Sequence, residues 1–247
     1  MDGTYAGTIN PQAAPRTAVV WQVLQGELDR QPGPLTVIDV GGGTGGFAVP
    51  LARSGHHVTV VDSSPDALAA LTRRASEAGV AARIRAVQGD GDQLGALVPP
   101  GSADLVLCHS VLEVVDDPGA VVAALAAVLR PSGAASVLLA NRAAAVLARA
   151  VTGHLDVAAA LLADPDGRAG TRDTLRRRYD LDGAVALVSA AGLTVEQIHG
   201  VRVLADLVPG VVADTDPTRL LALELAVAGR SPYRDVATQL HLLARKP

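Results

Sequence analysis

The stretch LTVIDVGGGTGG (35–46) decides the predicted fold, because a short apolar run leads directly into a cluster of glycines. The run LTVIDV (35–40) has the length and the β-branched residues of a buried strand. The segment FAVPLARSG (47–55), which follows the glycines, has a helical pattern. Strand, glycine turn and helix in this order form the opening unit of a parallel α/β sheet.

The same alternation continues on both sides of this unit. Before it, apolar residues at helical spacing predict a helix over about 15–30. After it, Ser64 and Pro65 predict the cap and the first position of another helix. Further strands are predicted at 56–62, 83–90, 103–110 and 135–141, with a helix over 121–130. This pattern indicates an α/β fold with a doubly wound, mostly parallel sheet.

The alternation of strands and helices ends after Asn141. Residues 142–192 are mostly helical in pattern, with breaks at Gly153 and 164–170, and we expect them to form a lid over an acceptor site. A sixth strand (193–207), a helix (216–229) and a final strand (237–246) follow. We therefore predict one domain over 1–247, made of an N-terminal helical segment (1–34), a ligand-binding core (35–141), the lid (142–192) and C-terminal strands and helix (193–247).

Composition excludes several classes of protein. Of the 247 residues, 49% are hydrophobic and 19% charged, which excludes a disordered chain. The longest apolar run has about nine residues, fewer than the ~18 that a spanning helix needs, so we expect no membrane partner. The first sixteen residues lack a secretory pattern and Cys108 is the single cysteine, so we expect a cytoplasmic protein.

The net charge and the spacing of the histidines limit the kinds of partner that the chain can bind. The net charge of −4 argues against non-specific nucleic-acid binding, so we expect no DNA, although a local basic patch could hold one RNA. No two histidines have the spacing of a zinc helix, and we expect no metal. The sequence does not determine the oligomeric state.

The glycine turn fits two kinds of ligand. Gly41, Gly43 and Gly46 match the dinucleotide fingerprint, whereas Gly41, Gly43 and Gly45 match the tighter loop of enzymes that bind S-adenosylmethionine (SAM). A pyrophosphate is an anion and suits bare backbone amides. SAM carries an ammonium and a sulfonium, which favour a nearby carboxylate.

Acidic residues at three successive strand ends favour SAM. Asp39 supplies a carboxylate beside the glycine turn, Asp62 suits the ribose hydroxyls, and Asp90 can accept a hydrogen bond from the adenine amino group. An NAD-dependent oxidoreductase stays as the weaker alternative. The neighbouring residues Gly42, Ser63 and Gly91 complete the core of the predicted cofactor site.

The segment ADLVLCHSVLEVVDDPGAVVAALAAVLRPSG (103–133), together with IDVGGGTGG (38–46), resembles the class I SAM-dependent methyltransferases. The resemblance covers residues 35–141. It implies a Rossmann-like sheet of seven strands, the last of them antiparallel, and SAM as the cofactor.

A second resemblance extends over nearly the whole chain. It is to the bacterial tRNA 5-carboxymethoxyuridine methyltransferases, which esterify the carboxylate on a wobble uridine. The similar segments include PRTAVVWQVL (15–24), LCHSVLEVVDDP (107–118), VTGHLD (151–156), GVRVLADL (200–207) and HLLARKP (241–247). Position by position, this resemblance implies that Arg16 meets the SAM carboxylate. It also implies that His109 and Ser110 line the methyl-transfer site.

Departures from that subfamily leave the acceptor open. Val114 stands where its members commonly have Trp, and DPDGRAGTRDTLRRR (164–178) replaces a lysine-rich stretch. Aromatic residues are only 2% of the chain, so there are few platforms on which an unpaired base could stack. The predicted partner is therefore tRNA or a small-molecule acceptor for O- or N-methylation. A non-catalytic SAM-binding protein is the third alternative.

The predicted catalytic residues are the polar residues on the acceptor side: His109, Asn141, Arg142 and Arg202. Arg142 and Arg202 either clamp an acceptor carboxylate or lie exposed. His109 either acts at the methyl-transfer site or packs its ring beside the cofactor. The cluster Arg172, Arg176, Arg177 and Arg178 either contacts phosphates or forms a solvated face.

Overall fold

The computed structural model describes residues 16–171 and 173–247 of the chain. The predictions about the N-terminal residues 1–15 and the predicted phosphate contact of Arg172 lie outside these ranges. Within them, no helix has both the length and the apolar character that a membrane-spanning helix needs.

Seven strands form one sheet in the order β3-β2-β1-β4-β5-β7-β6. β7 is antiparallel to both of its neighbours and the other pairs are parallel, as the resemblance implied. The carboxyl ends of β1 to β6 therefore share one edge of the sheet. The strands are β1 (Thr36–Val40), β2 (His57–Asp62), β3 (Ile84–Gln88), β4 (Ala103–His109), β5 (Leu129–Ala140), β6 (Thr194–Val201) and β7 (Gln239–Arg245).

Ten α-helices connect and cover these strands in the described part of the chain. The Ser64 hydroxyl accepts a hydrogen bond of 3.2 Å from the Ala67 amide, and Pro65 takes the first helical position, as predicted. The helices are α1 (Ala18–Leu28), α2 (Ala48–Arg53), α3 (Pro65–Glu77), α4 (Leu94–Leu97), α5 (Pro118–Val128), α6 (Arg142–Val151), α7 (Leu155–Ala163), α8 (Leu181–Ala190), α9 (Gly210–Thr215) and α10 (Pro217–Val227).

The sheet has an apolar layer on each face. Alternate residues of β1 point to opposite faces, so Val37 packs in one layer and Ile38 in the other. α1, α2 and α3 cover the first face, and α5 and α8 cover the second. The carboxyl edge of the parallel strands stays uncovered between these layers, which is where open α/β sheets bind ligands.

Two strands differ from their predicted bounds by more than two residues. The fifth strand starts at Leu129 instead of 135, because Leu129 pairs with Ala103 before the register shifts around the turn at 130–133. The sixth strand ends at Val201 instead of 207, because Arg202 has a φ of 61° and turns the chain. A left-handed backbone cannot continue a strand.

The lid segment is less helical than predicted. α6 and α7 end close to the expected breaks, but residues 164–180 form no helix in the part that the structure describes. Side-chain hydrogen bonds hold this segment instead. Asp173, for example, accepts bonds from the amides of Ala169 and Leu175. The Arg178 guanidinium and these amides lower the pKa of the Asp173 carboxyl.

Candidate functional site

The glycine turn between β1 and α2 is shaped by close contacts that exclude side chains. A Cβ on Gly41 would lie 2.3 Å from the Cγ2 of Val111, and the φ of Gly41 is +69°. A Cβ on Gly42 would lie 2.5 Å from the Oδ2 of Asp39. A Cβ at either position would force the neighbouring side chain to move, so glycine suits this close approach of the turn to its neighbours.

Asp62 is fixed at the end of β2 by two backbone amides. Its Oδ2 accepts a hydrogen bond of 2.8 Å from Gly43, and its Oδ1 accepts one of 2.9 Å from Ser64. Each carboxylate oxygen has a second lone pair. Asp62 can therefore accept two more hydrogen bonds, which suits a pair of hydroxyl groups on one ligand.

A cleft of about 470 Å³ opens along the carboxyl edge of the sheet. It brings together five of the predicted cofactor residues: Gly41, Asp62, Ser63, Asp90 and Gly91. Asp92, Asp116 and Asp117 add further acidic groups, and valines supply the apolar surface. A cleft with five aspartates repels a pyrophosphate and attracts a cationic ligand, so its charge favours SAM over a dinucleotide.

Asp39 lies beneath the glycine turn and is only 2% exposed. Burial, and then the negative charge of Asp62, raise the pKa of Asp39 to about 7. Its Oδ2 is shielded from solvent and has no hydrogen-bond partner among the residues that the structure describes. A buried carboxylate oxygen of this kind is stabilised by a cation. The ammonium and sulfonium of SAM fit this requirement.

His109 ends β4 at the same edge. Its Nε2 lies 2.8 Å from the Oγ of Ser136, and its ring meets the edge of Phe47 at a centroid distance of 4.7 Å. Burial lowers the pKa of His109 to about 3, so the imidazole is neutral at physiological pH. A neutral histidine can donate one hydrogen bond and accept one, and it repels no cation.

Asn141 and Arg142 lie in the framework of the lid. The Asn141 amide donates to the carbonyls of Asp235 and Ala237, at 2.9 and 2.8 Å, and its Oδ1 caps α6. The Arg142 guanidinium pairs with Asp180 and donates to carbonyls at 164 and 165. The structure does not bring these two side chains to the cleft.

Arg202 and Arg16 share one carboxylate. The guanidinium of Arg202 lies 2.6 Å from one oxygen of Asp206, and that of Arg16 lies 3.2 Å from the other. The hydroxyl of Thr238 also donates to Asp206, at 2.9 Å. The next residue, Gln239, donates a hydrogen bond of 3.0 Å to Ser110, which lines the cleft. Two arginines and a hydroxyl therefore converge on the Asp206 carboxylate, and the residue after that hydroxyl, Gln239, contacts the cleft through Ser110.

The described part of the arginine cluster contacts the wall of the cleft. Arg177 donates to the carbonyls of Leu112, Val115 and Asp116, and Arg176 pairs with Asp116. Arg178 pairs with Asp173 at 2.5 Å. Arg176 and Arg177 hold residues 112–116 in place, whereas Arg178 holds residues 167 and 173 of its own segment. These bonds reduce the capacity of all three guanidinium groups to bind phosphates.

The sequence pattern did not indicate five polar residues that bond close to the predicted site residues: Glu113, Ser136, Asp206, Gln239 and His241. Ser136 and His241 carried one signal, since each is the single polar residue of an apolar run, at 134–140 and 240–244 respectively. Glu113 is 2% exposed, its carboxylate accepts a hydrogen bond of 2.6 Å from the Ala140 amide, and burial raises its pKa. Among the side chains that the structure describes, no group of three or more His, Cys, Asp or Glu could hold a metal ion.

Comparison of the sequence with known proteins identifies relatives. Residues 38–137 match the family model described as "Methyltransferase domain". The tRNA 5-carboxymethoxyuridine methyltransferase of Escherichia coli (strain K12) is 31% identical over 237 residues, which are 94% of this chain and 88% of that protein. A ubiquinone biosynthesis O-methyltransferase of Xylella fastidiosa (strain 9a5c) is 34% identical over 166 residues, 67% of this chain and 63% of that protein.

The fold is also found in solved structures. A SAM-dependent methyltransferase from Mesorhizobium loti superposes with a TM-score of 0.62 at 19% identity, covering 96% of this chain and 100% of that one. A geranyl diphosphate C-methyltransferase from Streptomyces coelicolor A3(2), solved with S-adenosyl-L-homocysteine, superposes with a TM-score of 0.59 at 14% identity, covering 92% and 77%.

Proposed function

Because the chain belongs to the class I SAM-dependent methyltransferases, we propose that it methylates the carboxylate of 5-carboxymethoxyuridine at the wobble position of tRNA. One observation carries this proposal. Arg16, Arg202 and Thr238 together bind a carboxylate, that of Asp206, beside the cleft. A planar guanidinium matches the geometry of a carboxylate, which it can bind with two parallel hydrogen bonds.

The residues of the cleft fit SAM. Asp62 would hold the ribose hydroxyls, Asp90 the adenine amino group, and the turn at 41–43 the methionine part. Asp39 would offset the positive charge, since its buried oxygen needs a cation. The contact of Arg16 with the SAM carboxylate stays a prediction. It requires Arg16 to leave Asp206, and Arg202 and Thr238 alone would then hold the acceptor carboxylate. When bound, SAM supplies a methyl group on a sulfonium.

Methylation of a carboxylate requires no proton transfer by the residues of this chain. An acceptor carboxylate is already ionised at neutral pH, so no base has to remove a proton. The protein therefore contributes alignment and exclusion of water. In this role Arg202 would orient the acceptor carboxylate against the methyl group. The low pKa of His109 agrees with a reaction that needs no histidine base.

A small-molecule acceptor is the second candidate. The arginines at 176–178 are bonded within the chain, and the net charge is −4, so a large basic surface for RNA is not evident in the described residues. The Xylella fastidiosa relative is named as a ubiquinone biosynthesis O-methyltransferase. Such an acceptor carries a hydroxyl, which would have to lose a proton. For either acceptor we propose a cytoplasmic location.

Methyl transfer from labelled SAM tests the two candidates. The purified chain is offered total tRNA from cells that lack its gene and, separately, a small-molecule extract of those cells. Label that enters tRNA and is released by mild alkali indicates a methyl ester and supports the proposal. Label that enters only the small-molecule fraction supports the second candidate. Label in neither fraction contradicts both.

A matched pair of variants links the result to the arginine group. We expect Arg202→Gln to raise the KM for tRNA and to leave SAM binding unchanged. Arg219→Gln is the control, because Arg219 lies at the start of α10 with 90% of its side chain exposed. An equal rise in the KM for tRNA in both variants would show that tRNA binding depends on the total positive charge of the surface and not on the position of Arg202.

A further inference from the structure

The start of β7 connects the cleft to the arginine side of the site. β7 is antiparallel to β5 and β6, so its first residues lie at the edge where the parallel strands end. Gln239 pairs with Ala140 of β5 on one side and with Val201 of β6 on the other. Thr238 and Gln239 therefore lie between the end of β5 and the end of β6, which leads directly into Arg202.

Gln239 reaches across β5 to the end of β4. Its side-chain amide donates a hydrogen bond of 3.0 Å to the hydroxyl of Ser110. The β5 residue paired with Gln239 is Ala140, whose small side chain leaves space for a long side chain to cross. Ser110 is exposed and lines the cleft. Gln239 thus contacts a residue of the cleft although β7 is two strands away from β4.

Thr238 makes the corresponding contact on the other side of β7. Its hydroxyl and its backbone N–H lie 3.2 and 3.4 Å from the Arg202 carbonyl. The same hydroxyl lies 2.9 Å from the Asp206 carboxylate that the Arg202 guanidinium binds. Two consecutive residues of β7 therefore hold Ser110 and Arg202, and they set the separation between the hydroxyl in the cleft and the arginine beside it.

The two residues held in this way share an uncommon backbone conformation. The φ of Ser110 is 57° and that of Arg202 is 61°. A left-handed backbone costs energy in such residues and persists only where the surrounding structure holds it. It is concentrated at functional sites, where it places a side chain that an ordinary strand conformation would point elsewhere. Of the three non-glycine residues with this backbone in the described ranges, two thus lie at this edge.

The bond from Gln239 determines what the Ser110 hydroxyl can do. A serine oxygen carries one hydrogen and has two lone pairs that accept hydrogen bonds. Gln239 donates to one lone pair, and the hydroxyl hydrogen of Ser110 has no acceptor in the part of the chain that the structure describes. This hydrogen is therefore free to point into the cleft, while Gln239 fixes the position of the oxygen.

We propose that Ser110 donates this hydrogen bond to the acceptor carboxylate, and that Gln239 is the positioning residue that holds Ser110 for it. Arg202 and Ser110 then bind one carboxylate from two directions and turn one of its oxygens toward the methyl group. Alignment of the two reacting groups is the main contribution that a protein makes to such a displacement. The inference rests on the proposed function, because it takes the acceptor to be a carboxylate.

A double-mutant cycle tests the inference with whichever acceptor takes up label. Gln239→Met keeps the length of the side chain but removes its N–H, and Ser110→Ala removes the hydroxyl. We expect each variant to raise the KM for the acceptor about fivefold, as for the loss of one hydrogen bond. The double variant should raise it no further, because Gln239 acts through Ser110. Effects that multiply in the double variant would overturn the inference.

SAM binding separates the acceptor from the cofactor. Calorimetric titration should give the wild-type SAM affinity for Ser110→Ala and for Gln239→Met. A loss of SAM affinity in Ser110→Ala with an unchanged acceptor KM would overturn the inference, because the hydroxyl would then bind the cofactor. Gln197→Met is the control for Gln239→Met, since Gln197 is exposed on β6. An equal rise in acceptor KM in Gln197→Met would contradict a specific role for Gln239.

Ser110→Gly distinguishes this role from a structural one. Glycine adopts a left-handed backbone without strain, so we expect the thermal unfolding temperature of Ser110→Gly to be no lower than that of the wild type. The acceptor KM should nevertheless rise as it does in Ser110→Ala. A wild-type KM in Ser110→Gly would show that the hydroxyl is not needed and would overturn the inference.

A binding measurement without turnover keeps the inference separate from the proposed function. Methoxyacetate carries the oxyacetate group alone, and methoxyacetamide is its neutral counterpart. The side-chain amide signals of Gln239 in ¹⁵N nuclear magnetic resonance, assigned with Gln239→Met, should shift when millimolar methoxyacetate is added to the full chain loaded with S-adenosyl-L-homocysteine. Methoxyacetamide should not shift them. An equal response to both probes, or no response to methoxyacetate, would overturn the carboxylate contact. A response to methoxyacetate alone supports it, even where tRNA takes up no label.

Discussion

The backbone N–H of Gly43 donates a hydrogen bond of 2.8 Å to Oδ2 of Asp62, which joins the turn after β1 to the end of β2. The bond fixes the carboxylate in the orientation that a pair of ligand hydroxyls requires. It also shows why glycines and an acidic residue nineteen positions apart act as one unit. The turn shapes the cleft, and the carboxylate holds the turn.

Removing the charge of Asp62 tests this unit. We expect Asp62→Asn to weaken SAM binding by about 10- to 100-fold, because hydrogen bonds to a charged group contribute ~1.5–3 kcal/mol. Calorimetric titration with SAM measures the effect. Asp66→Asn is the control, since Asp66 is exposed on the first turn of α3. Unchanged affinity in Asp62→Asn would contradict the assignment of Asp62 to the ribose.

A side chain in the glycine turn should damage the cleft. In Gly41→Ala the new Cβ would overlap Val111 at 2.3 Å, and the φ of +69° costs an alanine about 1–2 kcal/mol. We expect lower thermal stability and loss of SAM binding. Gly46→Ala is the matched control, because a Cβ there has no atom within 4 Å among the described residues. Equal SAM affinity in the two variants would show that the turn tolerates a side chain.

Much of this cleft could be predicted because its determinants are local. Asp39, Asp62 and Asp90 each follow an apolar run, and the alternation of strands and helices places such strand ends at one edge. The acceptor side could not be predicted in this way. Asp206 meets Thr238 across 32 positions and Ser136 meets His241 across 105, and no local pattern indicates which side chains will pair over such separations.

The lid is another region in which local sequence patterns do not predict contacts between distant residues. Helical periodicity indicated α6, α7 and α8, but not the irregular segment between α7 and α8. The side chains of Arg177 and Tyr179 extend from that segment and donate hydrogen bonds to the Leu112 carbonyl, at 3.2 and 3.0 Å. The sequence presents a run of arginines that looks like a solvated or phosphate-binding surface. Only the fold reveals that Arg177 binds backbone carbonyls.

The raised pKa of Asp39 predicts a pH dependence of stability. The folded protein holds a proton on Asp39 up to about pH 7, whereas the unfolded chain releases it near its ordinary value of 3.8. The folded state therefore binds more protons between these values, and its stability falls as pH rises through this window. We expect Asp39→Asn to remove this loss. Its thermal unfolding temperature should match that of the wild type near pH 4 and exceed it at pH 8.

The gain at pH 8 is expected to be on the order of 4 kcal/mol, since the pKa is raised by about three units and one unit corresponds to about 1.4 kcal/mol. Asp66→Asn should show the same pH profile as the wild type. SAM is expected to bind Asp39→Asn more weakly, because the variant lacks the buried charge. A parallel pH profile for wild type and Asp39→Asn would contradict the assignment of the titration to this group.

Glu224 fixes the loop that carries Asp206. It is fully buried in α10, and its two oxygens accept hydrogen bonds from the amides of Val203, Leu204 and Ala205, at 2.6, 2.8 and 3.1 Å. We expect Glu224→Ala to destabilise the fold by about 1–3 kcal/mol, because one buried and two partly buried amides lose their acceptor. Urea unfolding measures this loss. Glu77→Ala on the exposed face of α3 is the control, and an equal loss there would contradict a specific role for Glu224.

Asp206 itself should compete with the acceptor. Arg16, Arg202 and Thr238 hold its carboxylate where an acceptor carboxylate is proposed to bind, so the acceptor must displace it. We expect Asp206→Asn to lower the KM for the acceptor by a few-fold, because an amide binds two guanidinium groups less tightly than a carboxylate does. The kcat should change little.

Steady-state kinetics at a fixed, saturating SAM concentration measure this effect. The varied substrate is whichever acceptor, tRNA or small molecule, takes up label in the methyl-transfer assay. Asp182→Asn is the control, because it removes the same charge from the exposed first turn of α8. A lower KM in both variants would indicate weaker general repulsion of an anionic substrate. A higher KM in Asp206→Asn alone would show that Asp206 orients the arginines for the acceptor instead of occupying its place. Loss of the charge would remove such orientation and raise the KM, whereas it would relieve competition and lower the KM.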